Sequence, residues 1–493
     1  MIRKNIYRWH RWLSLVAAVP ILMWSVSGLL HQAGAWAKPV IKNERLVEAP
    51  LDTAVMRISL SAALQQNNIP AISNCRVVQY EGQYYYQVRI TDSLPAIYLS
   101  TANGQPLQDG DKKYAVALAH HMLGDSTLPV HKVERLTRFS GMYRASSRLL
   151  PVYAVHLHDA DDTHVYVDTY GGRLAMATNR RAHQVHQWFG HLHAWKFLDQ
   201  WKDAKEWALA IFAMIAFAAA ATGIYLYGIL PAISPQKREQ VWNRRRNQHR
   251  VIGIFTSCTL LLFAFSGAYR ALVKNKPGLA ADMHATNRFA SNQLDFDWKH
   301  IAGLLDEHQR LLNFSLVAQG DEPAVQLLLE EGTGRRSLAL YTPASRQITQ
   351  HAKEYAAALA MQWKQVPAAK IASVELITAF DNEYRSNNKR LPVYKVSLHT
   401  PEKDRLYIET TTGYLAAAEN DQTARNNFVF SQLHMFRFTE TVSKDFRFWL
   451  LLFFAWLNLL TVVTGLILGM RAVVRRKRRP LAIPASRISF RSV

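Results

Sequence analysis

The sequence predicts a membrane α-helical protein: four transmembrane helices in a tandem repeat, with a large α+β domain exported in each repeat. Three observations predict it. Four long segments are almost free of charge. The basic residues cluster in short stretches beside them. A pattern of residues recurs at an offset of 241 positions.

The apolar segments span 12–34, 207–230, 251–273 and 448–470. Each is close to the roughly 20 residues that cross a hydrocarbon core at about 1.5 Å per residue. Residues 1–11 carry Arg3, Lys4, Arg8 and Arg11 with no acid. The loop 231–250 carries Lys237, Arg238, Arg244, Arg245, Arg246 and Arg250 against Glu239. The tail 471–493 carries eight Lys or Arg and no acid. With four crossings these stretches share one side, and the positive-inside rule makes it the cytoplasm. The net charge of +22 therefore predicts contact with anionic lipid in the bilayer, not nucleic acid. The exported domains are then 35–206 and 274–447. Ala35-Trp36-Ala37 resembles a signal-peptide cleavage site. The third apolar segment repeats the first where no cleavage is possible, so the first is read as a retained helix. Cys75 falls in an exported domain and Cys258 within a helix, which excludes a disulfide framework.

The repeat is explicit. LPVYAVHLH at 150–158 returns as LPVYKVSLH at 391–399. The same offset aligns Val133-Glu134 with Val374-Glu375 and Leu192-His193 with Leu433-His434. It also aligns Phe139, Tyr143 and Arg144 with Phe380, Tyr384 and Arg385. At an offset of 239, His10-Arg11 falls on His249-Arg250 and Ser27-Gly28 on Ser266-Gly267. Each unit is a helix, an exported domain and a returning helix. Within the first domain, 58–67 reads as an amphipathic helix. Strands follow at 75–80, 84–90 and 96–101, with turns at Glu81-Gly82 and Asn103-Gly104. The second domain repeats the order, with a helix near 297–311 and strands near 313–318, 324–330 and 337–342. A further helix and strand pair follow in each, ending in turns at Gly171-Gly172 and Gly413. No catalytic triad, phosphate loop, dinucleotide fingerprint or zinc-protease motif is present.

Function is sought among the 19 histidines. His10, His31 and His249 sit at ends of membrane helices; His193 and His434 lie shortly before the second and fourth. Ionisable groups at membrane depth are expensive and point to function, and neutral imidazole is a common axial ligand of haem iron. A parallel tandem repeat implies a pseudo-twofold axis along the membrane normal. Across it His10 and His249 can hold one iron, and His193 and His434 a second. His31 stands 21 residues after His10, about 31 Å along the helix, and is a rival ligand on the exported side. Its repeat equivalent, Arg270, can pair with a haem propionate. The competing reading leaves these side chains as interfacial residues that cap carbonyls or meet lipid phosphate.

Other histidines compete for attention. His183, His186, His191 and His193 form HQVHQWFGHLH, either a metal cluster or an interfacial helix anchored by Trp188, Phe189 and Trp195. His156, His158 and His164 lie on predicted strands with even spacing, so they share a face and are read as structural.

The motif His-Arg-x-x-(Ser/Gly)-hydrophobic opens a helix ending in Ser-Gly twice, at His10 to Gly28 and His249 to Gly267, and Leu-His precedes the next helix at 192–193 and 433–434. The chain thereby resembles the PepSY-associated transmembrane family, with PepSY-like modules in the exported domains. The resemblance implies a multi-pass protein of the bacterial inner membrane with large periplasmic domains, often linked to iron uptake. Some members are similar to siderophore reductases with two b-type haems. By motif match the implied ligands are His10, His249, His193 and His434; His31 lies outside the motif. The implied partner is a ferric siderophore or chelate. The chain has no flavin domain, so the donor is expected to be a quinol or a cytoplasmic reductase. The alternative from another class is a non-catalytic PepSY module that binds a peptide or protein.

Overall fold

The computed structural model describes residues 2–230, 241–273 and 283–477, apart from 321, 333, 350, 351 and 382. Lys237, Arg238 and Glu239 of the basic loop, residues 274–282 and the tail after 477 lie outside the described residues. The chain divides into two compact units.

The membrane unit comprises Met1–Trp36, Gln184–Lys274 and Arg425–Val493. Its long helices are Ile2–Trp36, Lys202–Ile229, Val241–Leu272 and Lys444–Lys477. Among the described residues, four helices are long and apolar enough to cross a membrane. All outrun the apolar segments, because hydropathy registers only the part in hydrocarbon. Helical bonding continues into the head-group zone, where Arg and Lys stems reach water. Exposed Trp9 and Trp12 near one end, and Trp36, Trp207 and Trp449 near the other, form the aromatic belts expected at two interfaces. The unit begins at Gln184 and Arg425, not at 207 and 448. The reason is that helices Arg180–Ala194 and Asp421–Leu433 run directly into it.

The helices pack in a ring: first on second, second on third, third on fourth, fourth on first. The first and third, which carry equivalent motifs, thus lie across a diagonal. Small residues permit the close approach. Ala210, Ala213, Ala216, Ala219 and Ala220 are buried on the second helix, and a Cβ on Gly28 would stand 3.2 Å from the Ala455 Cβ. Ala17, Ile21, Ala216 and Ala264 form an apolar centre, supported by Val462.

The other unit comprises Ala37–His183 and Asn275–Ala424. It holds four modules, each a short helix and an antiparallel sheet. In the first half, helix Leu60–Gln66 accompanies strands Asn74–Tyr80, Gln83–Arg89 and Ile97–Ser100. Helix Gly110–Leu123 accompanies Val130–Leu136, Val152–Leu157, His164–Asp168 and Arg173–Thr178. The second half repeats this with helices Trp298–Gly303 and Ala352–Lys364, each beside a four-stranded sheet. The helix expected near 297–311 stops at Gly303. Gln309–Gln319 is a strand that pairs along its length with Glu322–Glu331 and buries Phe314 and Leu316.

The sequence suggests two exported domains, but the halves share a core. Leu60, Leu64, Tyr86 and Val88 from the first pack with Trp298, Phe314, Leu316 and Leu327 from the second. Two asparagines join the sheet edges. Asn74 Oδ1 accepts from Leu316 N at 2.8 Å, and Asn313 Oδ1 accepts from Val77 N at 3.0 Å. Leu60–Gln66 and residues of the other half cover one face of the first sheet together, and helix Gly110–Leu123 covers the opposite face through Tyr114 and Leu118. A second junction is ionic. Arg173 donates twice to Glu409, at 2.7 and 2.9 Å, and to Asp168 at 2.9 Å; Arg390 reaches Glu409 at 2.6 Å.

Two outcomes follow from these junctions. Asn74→Ala leaves buried N–H groups without acceptors and is expected to lower unfolding stability by about 1–3 kcal/mol, read by urea titration of intrinsic fluorescence. Burial would raise the Glu409 carboxyl, but Arg173 and Arg390 overcome it and hold it at about 2, below its ordinary 4.5. Its contribution is therefore present above pH 4.5 and is lost as pH falls toward 2. Glu409→Gln is expected to flatten that acid limb of the stability curve.

Candidate functional site

The membrane unit brings the four motif histidines into two tiers. On the first tier, His10 of the first helix turns toward the second. Its Nδ1 lies 3.0 Å from the Ala219 carbonyl and 3.2 Å from the Thr222 hydroxyl. His249 of the third helix turns toward the fourth, with Nδ1 3.1 Å from the Thr464 hydroxyl. Glycine makes room in both places. A Cβ on Gly223 would stand 3.2 Å from His10 Cε1, and one on Gly465 would stand 3.1 Å from His249 Cε1.

On the second tier, His193 and His434 end the helical stretches that enter the unit. Their rings face each other at 5.8 Å between centroids, nearly edge-on at 77°. Ser27 Oγ is 2.9 Å from His193 Nδ1, and Ser266 Oγ is 3.0 Å from His434 Nδ1. Both serines are fully buried. Phe189 stacks on His193 at 4.8 Å and Phe430 on His434 at 4.7 Å. Seventeen residues separate His10 from Ser27 and His249 from Ser266, about 26 Å of helix rise. The apolar centre around Ala17 and Ala264 lies between the tiers.

The hydrogen bonds set the tautomers. The Ala219 carbonyl can only accept. Ser27, Ser266 and Thr464 donate their own protons to the carbonyls of Trp24, Leu262 and Leu460. Each therefore accepts from the imidazole, which places the proton on Nδ1 and leaves the Nε2 lone pair available. This is the arrangement by which neighbouring groups orient a ligating histidine. Burial pushes the His193 imidazole down to about 3, with His434 and His31 adding to the effect, and burial pushes His434 down to about 4. Both stay neutral, the form that ligates.

Among the described residues, no group of three or more His, Cys, Asp or Glu is arranged to hold a bare metal ion. The pairs offer two nitrogens each. By donor type, each pair would suit the iron of a haem. The residues present fit haem on these grounds.

The remaining sequence candidates are placed differently. His31 is exposed, 5.2 Å from the Phe189 ring, on the edge of the second tier. Arg270 is exposed in the last turn of the third helix. His186 stacks on Phe189 at 6.1 Å, and Trp188 is exposed as an anchor should be. Trp195 is not an anchor: it is buried, stacked on Trp24 at 6.0 Å and edge-on to Phe212. His156 and His164 pair across neighbouring strands, 4.0 Å apart. His158 falls just past its strand and packs with His131 instead. Sequence reasoning missed Thr222, Gly223, Thr464 and Gly465, although Thr-Gly recurs at an offset of 242. It saw Ser27 and Ser266 as repeat markers without a role.

Residues 7–295 match the family described as the PepSY-associated TM region. No curated protein matches the chain.

In protein labelled with 15N-histidine, His193 and His434 are expected to report neutral, Nδ1-protonated rings at pH 5. There an ordinary imidazole of pKa 6.5 is mostly charged. Imidazolium signals from both at pH 5 would refute the assignment.

Proposed function

The chain belongs to the PepSY-associated TM family, and on that footing we propose that its membrane unit is an electron-transfer device with two b-type haems, reducing a ferric siderophore or other ferric chelate on the exported side of a bacterial inner membrane. One observation carries the reading. Four histidines stand in two pseudo-symmetric pairs, each fixed through Nδ1 by an acceptor from another segment. Interfacial histidines need no such matched pairing, and lipid-facing ones need no glycine opposite the ring.

His10 and His249 would hold one haem, and His193 and His434 the other. The haems would supply one-electron redox chemistry. The chain's own residues orient the imidazoles, exclude lipid and water, and set the local polarity. Ser27, Ser266, Thr464 and the Ala219 carbonyl make their rings stronger donors through Nδ1. Arg8 and Arg11 lie at the His10 end, and Arg244, Arg245, Arg246 and Arg250 lie at the His249 end. The positive-inside rule assigns that tier to the cytoplasmic side. Electrons from a quinol or a cytoplasmic reductase would enter there and leave from the tier of His193 and His434. Arg270, in the last turn of the third helix, remains the candidate partner for a propionate.

A reduced-minus-oxidised visible spectrum of the detergent-purified protein tests the reading. Soret and α bands are expected, with about half of the haem lost in His10→Ala or His249→Ala, since each removes one of the two imidazoles that would hold that haem. Gly465→Leu is expected to mimic His249→Ala by displacing the ring. His193→Ala and His434→Ala are expected to abolish ferric-chelate reduction. No bands after expression with ample haem would overturn the reading in favour of a non-catalytic module that binds a peptide or protein.

A further inference from the structure

Two clefts of the extramembrane unit differ in charge. One, of about 490 Å³, is lined by Arg89, Arg135 and Arg390 against Asp92, Asp111 and Asp168. Its formal charges balance. The other, of about 620 Å³, is lined by Arg45, Arg76, Arg173 and Arg336 against Glu48 and Glu409. It lies where all four modules meet, and cations outnumber anions.

The ion pairs show which cations remain uncompensated. Arg173 and Arg390 share Glu409, and Arg173 also holds Asp168. Arg76 lies 3.6 Å from Glu48. Arg45 donates to the carbonyls of Leu391 and Lys389, which bring dipoles but no countercharge. Arg336 makes no ion pair among the described residues. Glu330, opposite it across the strands, is also opposite Arg310. Burial and then the neighbouring Arg173 push the Arg45 guanidinium down to about 10, and Arg336 lowers it further, against the pull of Glu409. Two buried donors also lack acceptors: Arg76 Nε, on the lining of this cleft, and the hydroxyl of Tyr170, a residue that lines both clefts. Such groups are costly when buried unpaired, and a missing acceptor is the usual reason to find them.

We propose that this cleft binds a small multivalent oxyanion, a di- or tricarboxylate or a phosphate, gripped by the guanidinium groups of Arg45 and Arg336. Guanidinium forks match carboxylate and phosphate oxygens two at a time. Arg76 Nε is a further donor for such a ligand. Nothing in this inference depends on haem.

Isothermal titration of the full-length protein in detergent, at low salt and neutral pH, tests it with two probes, citrate and inorganic phosphate. Saturable binding of either is expected, weakened about ten- to a hundredfold in Arg336→Gln, the loss of one charge-assisted contact. Arg336→Lys is expected to fall between. Citrate binding without phosphate binding identifies a carboxylate site, and the reverse identifies a phosphate site. Arg336 sits partly exposed near the start of a strand, so the variant's unfolding midpoint without anion serves as the fold control. Failure of both probes to bind more tightly than about 1 mM would overturn the proposal. So would equal affinity in a folded Arg336→Gln. The visible spectrum of the same samples keeps this result separate from the haem reading.

Discussion

An imidazole placed inside a helical bundle must satisfy its N–H, and much of the membrane unit follows from that requirement. Apolar surroundings give no water to do it, so an acceptor must come from a neighbouring segment. Ala219 supplies a carbonyl and Ser27, Ser266 and Thr464 supply hydroxyls. Because each acceptor lies on a different segment from its histidine, every bond also fixes a packing relation. His10 ties the first helix to the second, and His249 ties the third to the fourth. The bond needs close approach, which explains Gly223 and Gly465 beside the rings. It needs a hydroxyl whose own proton is already used, which explains the back-bonding of Ser27, Ser266 and Thr464 to their own helices. Those bonds are ordinary in membrane helices, but here they dictate a tautomer.

Duplication lets the chain form such a centre from one solution used twice. A single unit presents one imidazole per tier. Two units together bring His193 and His434 to face each other, 5.8 Å between centroids. The extramembrane unit uses duplication in the same manner with different chemistry. Asn74 and Asn313 exchange bonds across the seam between first modules. Tyr143 and Tyr384 each donate to a carbonyl six residues on, Leu149 and Arg390. Where the repeats have diverged, the centre becomes asymmetric. Asp168 and Glu409 are equivalents, yet Glu409 receives two arginines while Asp168 receives one.

Four membrane helices and the repeat were legible in the sequence for a direct reason. Twenty uncharged residues have few soluble alternatives, and a duplicated motif needs no structure to be seen. The helix-plus-strand order was legible too, since period and turn residues are local signals. Helix ends were not, because Arg and Lys at the rim hide a helix from hydropathy. The overlong helix near 297–311 failed because a strand that buries Leu311, Phe314 and Leu316 differs from a short helix only through its partner strand.

The histidines divide along the same line. Chain position alone identified His10, His249, His193 and His434 as equivalent pairs, because equivalence is a property of the repeat. Tertiary structure alone decided which nitrogen each ring presents, since that depends on the acceptor opposite it on another segment. It also decided that Trp195 is buried against Trp24, and that the two halves outside the membrane unit share one core. A sequence records what each side chain can donate or accept. Only the packing of segments distant in the chain determines which of those capacities is used and which is left open to a ligand.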